Sequence, residues 1–205
     1  MAKLLLLNGS PNQKGCIEAA LEEIAGELQK CGMDSEIVQV GIAQPKGCYG
    51  CGYCATHGEC VTKDLVNEVG RRLDEFSGIV AGSPVFYSGA SGQICSFLDR
   101  LFYAYGGKLV NKVGAAVVSC RRGGATATFQ RINQYYLMSN MLVVGSQYWN
   151  MVHGYTAEDA RKDLEGMQTM RTLARNIAWV VGSIEKAGLP KPVYGEHLWT
   201  DFGQY

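Results

Sequence analysis

Four of the eight cysteines in this chain fall in one short, glycine-rich stretch with the spacing Cys48-x2-Cys51-x2-Cys54-x5-Cys60. Thiolates are soft ligands, and four so close together can surround one iron–sulfur cluster. The first three positions have a ferredoxin-like spacing, although no proline follows the fourth. The same set suits zinc, with His57 as a spare ligand, and it also suits four unmetallated thiols in a loop. Spacing leaves all three readings open. Cys16, Cys31, Cys95 and Cys120 are scattered. Cys31 and Cys95 read as helix-packing residues, and Cys16 as either a packing residue or a thiol activated by its neighbourhood.

Three further segments carry the residue types that hold a phosphate and a flat ring. Asn8 to Ile17 reads NGSPNQKGCI and opens a helix. The Ser10 hydroxyl, the Asn12 amide, the Lys14 cation and the backbone N–H groups near Gly15 suit a monophosphate at a helix N-terminus. The segment matches neither a dinucleotide loop nor a Walker loop. Gly82 to Gly92 reads GSPVFYSGASG. Its glycines and serines let the backbone approach a ligand, and Phe86 and Tyr87 can stack on a flavin or pack inside. Ser119 to Thr126 reads SCRRGGAT. There Arg121 and Arg122 suit a reduced anionic flavin or a nicotinamide-cofactor phosphate, or are simply solvated at a turn. Asp99-Arg100 reads as a structural ion pair.

These loops need a scaffold, and hydrophobic periodicity supplies one. Strands are expected over Lys3–Asn8, Glu36–Val40, Gly78–Ala81, Val113–Ser119 and Met141–Val144. Helical stripes run over Gly15–Gly32, Leu65–Phe76, Gln93–Tyr103 and Thr128–Met138, and over Thr156–Lys186 with a kink at Gly166. Alternating strands and helices predict an α/β protein with a doubly wound, mostly parallel five-stranded sheet. Ligands of such sheets bind beyond the carboxyl ends of the strands, where the three loops fall. Residues 1–188 form the expected domain. Residues 189–205 form an aromatic-rich tail expected to dock on it or on a neighbouring subunit through Tyr194, Trp199, Phe202 and Tyr205.

Lys plus Arg total 19 and Asp plus Glu total 19, so no strong electrostatic binder of nucleic acid is expected. The apolar run after Lys3 stops at Asn8-Gly9-Ser10-Pro11, too soon for a signal peptide or a membrane span. A cytoplasmic protein without membrane or nucleic-acid partners is expected.

The segments NGSPNQKGC, GCYGCGYCATHGEC, AGSPVFYSGASGQICSFLDR and GAAVVSCRRGGATATF, with SQYWNMVHG and EGMQTMRTLARNIAW behind them, occur in one order across Lys3 to Lys186. In this the chain resembles the flavodoxin-like NAD(P)H-dependent FMN reductase family, and especially its iron–sulfur flavoprotein branch. The resemblance implies strand order 2-1-3-4-5, non-covalent FMN, and a dimer or tetramer. It implies a phosphate site at Ser10, Asn12, Lys14, Cys16 and Ile17, where Ile17 replaces the family's usual hydroxyl residue. Pro84, Val85, Phe86, Tyr87, Ser88 and Gly89 would run along the isoalloxazine. Ser119, Arg121, Arg122, Gly123 and Gly124 would edge its pyrimidine side. Tyr148, Trp149, Asn150 and His153 complete the pocket or an interface, or else pack a structural loop. Cys48, Cys51, Cys54 and Cys60 match the branch's pattern for a [4Fe-4S] cluster. The leading expectation is electron flow from NAD(P)H through FMN to a quinone, flavin or other small acceptor. A carrier exchanging electrons with ferredoxin is the rival, and a non-enzymatic flavin or redox sensor the third reading. The sequence does not choose between NADH and NADPH.

Overall fold

In a computed structural model describing residues 2–196, 198 and 200, Leu4 and Leu6 enter one core while Leu5 and Leu7 enter another. A strand with both alternating faces apolar must be covered on both sides. This is β1 (Lys3–Asn8), an interior strand of the sheet. It leads into α1 (Cys16–Lys30), β2 (Asp34–Gln39) and the short α2 (Val40–Ala43). The cysteine-rich segment follows and holds α3 (Tyr53–His57). Then come α4 (Leu65–Arg71), a 3-10 turn at Leu73–Glu75, β3 (Gly78–Phe86), β4 (Gly89–Ala90) and α5 (Gly92–Tyr105). A second 3-10 turn at Gly106–Leu109 leads to β5 (Val113–Cys120), buried throughout its length. The chain ends in α6 (Ala125–Met138), β6 (Leu142–Val143), β7 (Met151–His153), α7 (Ala157–Lys162) and α8 (Leu164–Ala187).

The sheet runs β2-β1-β3-β5-β6, with every pair on this path parallel. This is the expected doubly wound α/β, flavodoxin-like order, with one refinement. The fifth strand position is filled by two short pieces: β6 pairs with the start of β5, and β7 with its end. The expected strand at Met141–Val144 is the first piece only. β7 falls in the SQYWNMVHG segment. One core packs α1 and α8 against the sheet through Ile17, Leu21, Ile24, Leu173 and Ile177. The other packs α4, α5 and α6 through Val69, Phe97, Leu101, Ile132 and Tyr136.

Two helical expectations change. The 65–76 stripe is α4 plus a 3-10 turn, because Arg72 ends the α-helix. The 156–186 stripe is broken at Asp163 rather than kinked at Gly166. The Asp163 carboxylate accepts from Gly166 N at 2.9 Å to start α8, and from His153 N at 2.7 Å. Arg171–Glu23 and Arg175–Glu27 pairs fasten α8 to α1.

Gly188, at φ +60°, closes α8. The described tail residues beyond it form no helix or strand, and Tyr194 Oη donates to Asn111 Oδ1 at 2.7 Å. Trp199, Phe202 and Tyr205 lie outside the described residues, so docking of the tail remains a proposal. Among the described residues, no helix is long and apolar enough to cross a membrane.

Candidate functional site

The loops after β1, β3 and β5 meet at the carboxyl edge of the sheet, tied together by backbone and serine hydroxyls. Gly9 N donates to Gly82 O at 2.8 Å, and Ser91 Oγ donates to Gly9 O at 2.6 Å. Ser91 N donates to Ser83 Oγ at 2.9 Å, so the start of α5 is fixed to the first two loops. Within the first loop, Ser10 Oγ accepts from Asn12 N and Asn12 Oδ1 accepts from Lys14 N. Each group keeps its own N–H or O–H hydrogens for a ligand. Gly15 caps α1 without a side-chain acceptor, so the helix offers first-turn N–H groups to an anion. The one first-turn carboxylate, Glu18, is held by Asn8 Nδ2 at 2.7 Å and Gln39 Nε2 at 2.8 Å. These donors fit a phosphate.

The second loop is a hairpin. Val85 pairs with Ala90 and Phe86 with Gly89, leaving Tyr87 and Ser88 as a two-residue turn. Both have positive φ, 48° and 61°, as a type I′ turn demands and as side-chain-bearing residues seldom adopt. Tyr87 is fully exposed and Phe86 half-exposed. An aromatic pair left in solvent on a strained turn is suited to a flat ring. The third loop abuts this hairpin. Gly124 has φ +90°, and a Cβ there would lie 2.8 Å from Ser88 Cα. Ser119 is buried at the end of β5, whereas Arg121, Arg122 and Gly123 are exposed next to it.

Cys16 also lies at this edge, but its Sγ donates to Thr156 O at 3.1 Å. Burial pushes the thiol pKa up, and Asp159 and Glu158 add to the effect, so an activated thiol is not supported. Ile17 is buried in the core, leaving only its backbone for a ligand. Asn150 is a structural residue: its Nδ2 donates to Ala116 O at 3.0 Å. Tyr148 and Trp149 are exposed and lie against one another, with ring centroids 5.2 Å apart.

The four clustered cysteines occupy a second place. Cys48, Cys51, Cys54 and Cys60 all line one cavity of about 240 Å³, with Tyr49, Arg100 and Tyr103 among its walls. Gly50, Gly52 and Gly58 have φ of 67°, 72° and 67°, turns that let so short a segment bend its thiols toward one space. His57 does not line that cavity. Its ring stacks on Tyr53 at 3.8 Å, and its Nδ1 lies 2.7 Å from Thr56 Oγ1. Among the described residues no group of three or more His, Cys, Asp or Glu is close enough to hold a single metal ion. Four cysteines around a common space fit a multi-thiolate group.

Beneath the cysteines lies a buried clamp that sequence reasoning missed. Arg100 on α5 is 2% exposed. It donates to Cys60 Sγ, Lys46 O, Thr62 O and both Asp64 carboxylate oxygens. Asn67 holds the Cys60 backbone from the other side, accepting from its N–H at 3.0 Å and donating to its C=O at 2.7 Å. Burial opposes the Arg100 charge, but Asp64 and Cys60 outweigh burial and raise the guanidinium pKa. The adjacent Asp99 faces elsewhere, to Tyr135 Oη at 2.5 Å and Arg131 at 3.5 Å, so Asp99 and Arg100 are not one pair. The only sequence signal for Arg100 was a charge three residues after Phe97 on a buried stripe.

Residues 2–156 match the family model described as NADPH-dependent FMN reductase. An iron-sulfur flavoprotein of Methanocaldococcus jannaschii is 32% identical over 90% of this chain and 100% of its own length. Another, of Methanosarcina thermophila, is 31% identical over 90% of this chain and 97% of its own. Among solved structures, a flavodoxin, WrbA-like protein of Agrobacterium tumefaciens superposes with a TM-score of 0.65 over 89% of this chain and 99% of its own. Its identity is 15%, a likeness of fold.

Proposed function

The chain belongs to the NADPH-dependent FMN reductase family, a family of flavin-dependent oxidoreductases, and on that footing we propose that it binds FMN at the strand-end loops and an iron–sulfur cluster at the cysteine loop. The observation that carries the two-centre reading is the single cavity lined by Cys48, Cys51, Cys54 and Cys60. FMN, when bound, supplies hydride and single-electron chemistry. Ser10, Asn12, Lys14 and the backbone at Cys16 and Ile17 hold its phosphate. The Pro84–Gly89 hairpin would lie along the ring, and Ser119, Arg121, Arg122, Gly123 and Gly124 would edge its pyrimidine side. The two arginines oppose negative charge that develops there on reduction. No side-chain base is required, because these residues orient two flat rings and stabilise charge.

NAD(P)H is the proposed electron source, supported by the family's description. The acceptor in this proposal is a quinone, flavin or other small molecule, with ferredoxin as the partner if the cysteines hold a cluster. A homo-dimer or tetramer in the cytoplasm completes the proposal. The test is anaerobic purification with flavin, iron, sulfide and zinc measured on one sample. Flavin with about four iron and four sulfide per chain is the expected result. Flavin without iron or sulfide after reconstitution would reduce the reading to a simple FMN reductase, and a chain that binds no flavin would end it. Bleaching of the flavin by NAD(P)H separates the reductase from a carrier reduced only by ferredoxin.

A further inference from the structure

Arg100 uses all five of its N–H donors on the two ends of the cysteine loop. Lys46 O lies on the N-terminal flank. Thr62 O and the Asp64 carboxylate lie on the C-terminal flank, and the fifth bond, from Nε at 3.2 Å, goes to Cys60 Sγ. The guanidinium is buried, lines the cysteine cavity and is rooted in a helix that packs into the core through Phe97 and Leu101. A closed loop of this kind needs only backbone acceptors and an ion pair. The bond to a thiol sulfur is additional. A donor hydrogen bond draws electron density from a ligating thiolate, and a nearby fixed positive charge favours any centre that gains an electron.

We infer that Arg100 is a positioning residue that raises the reduction potential of the metal centre in the cysteine loop, and that Asp64 opposes it. The inference rests on the cluster reading above. The step concerned adds one electron, supplied by the titrant, to the centre, and no bond is made or broken. Arg100 favours the reduced state through its charge and its Nε–H bond. Asp64, paired to the same guanidinium at 2.6 Å, partly cancels that charge. The two halves of one ion pair therefore pull the potential in opposite directions.

The experiment is an anaerobic potentiometric titration of the whole protein, with the cluster followed by electron paramagnetic resonance and the flavin by absorbance. Arg100→Gln is expected to lower the cluster's reduced-to-oxidised ratio at fixed potential about tenfold, or about 59 mV for a one-electron couple. Asp64→Asn is expected to raise that ratio by a smaller factor. Asparagine still caps α4, whose first turn Asp64 now caps by accepting from Val66 N at 3.1 Å. Arg100→Lys keeps the charge without the fork and is expected to fall between wild type and Arg100→Gln. The flavin midpoint is expected to stay fixed in all three.

A purely structural clamp would loosen in both single variants and move both midpoints the same way, or neither. Either result overturns the inference while leaving the cluster in place. If Arg100→Gln does not assemble a cluster, the opposed shifts of Asp64→Asn and Arg100→Lys carry the test, and their absence overturns it. A wild-type chain that takes up no iron or sulfide overturns the cluster reading itself, and this inference with it.

Discussion

The strand-end edge and the cysteine cavity are built on opposite plans. At the edge, the contacts are spread over several short groups: Gly9 N to Gly82 O, the Ser91 hydroxyl to Gly9 O, and the close approach of Gly124 to Ser88. At the cavity, Arg100 holds both ends of the loop and Asn67 reinforces its C-terminal end at Cys60. The first site follows from the fold, and at Ile17, whose side chain is buried in the core, it offers a ligand only backbone. The second depends on a few named residues, Arg100, Asn67 and the four cysteines.

The largest test of that contrast replaces all four clustered cysteines with serine. Iron and sulfide are expected to vanish while flavin content stays within about twofold of wild type, because the edge shares none of the loop's ligands. Parallel loss of flavin would show that the two sites are not separable. Next, Arg100→Gln in cluster-free protein leaves Asp64 without its partner. Broken buried pairs cost about 3–5 kcal/mol, and the low end is expected because Asp64 is 28% exposed. Urea denaturation would give the cost, and flavin affinity should not change.

A smaller loss, about 1–3 kcal/mol, is expected for Gly124→Ala, which needs a left-handed alanine and pushes its Cβ into the Ser88 backbone. Here flavin affinity should fall together with stability, as fluorescence quenching during titration would show. The smallest effect is a gain. Ser88→Gly relieves a residue held at φ 61° and should stabilise the protein by no more than about 1 kcal/mol, read as a rise in the denaturation midpoint.

Much of this molecule was legible where chemistry repeats along the chain. The unbroken apolar runs of β1 and β5 and the stripe of α1 are periodic signals that tertiary structure did not override. The three strand-end loops followed from the ends of those runs. Short or long-range features were not legible. β6 and β7 have two and three residues, too few for any period. The break at Asp163 depends on a carboxylate that also serves His153, ten residues back. The Tyr87-Ser88 turn lacks the glycine or asparagine that normally marks left-handed backbone. Arg100 finds Asp64 thirty-six residues earlier, and no local pattern announces that partnership.

Helix α5 joins the two plans. Its cap, Ser91, is bonded into the strand-end loops, and nine residues later Arg100 reaches the cysteines. At 1.5 Å per residue that is roughly 14 Å of helix axis. The helix has no proline, and its one glycine is its first residue. Electron tunnelling weakens exponentially with separation, so on the two-centre proposal this helix would set how fast charge could cross between the sites. On the two-centre proposal, changing the length of α5 between Ser91 and Arg100 would therefore change the transfer rate without touching either site.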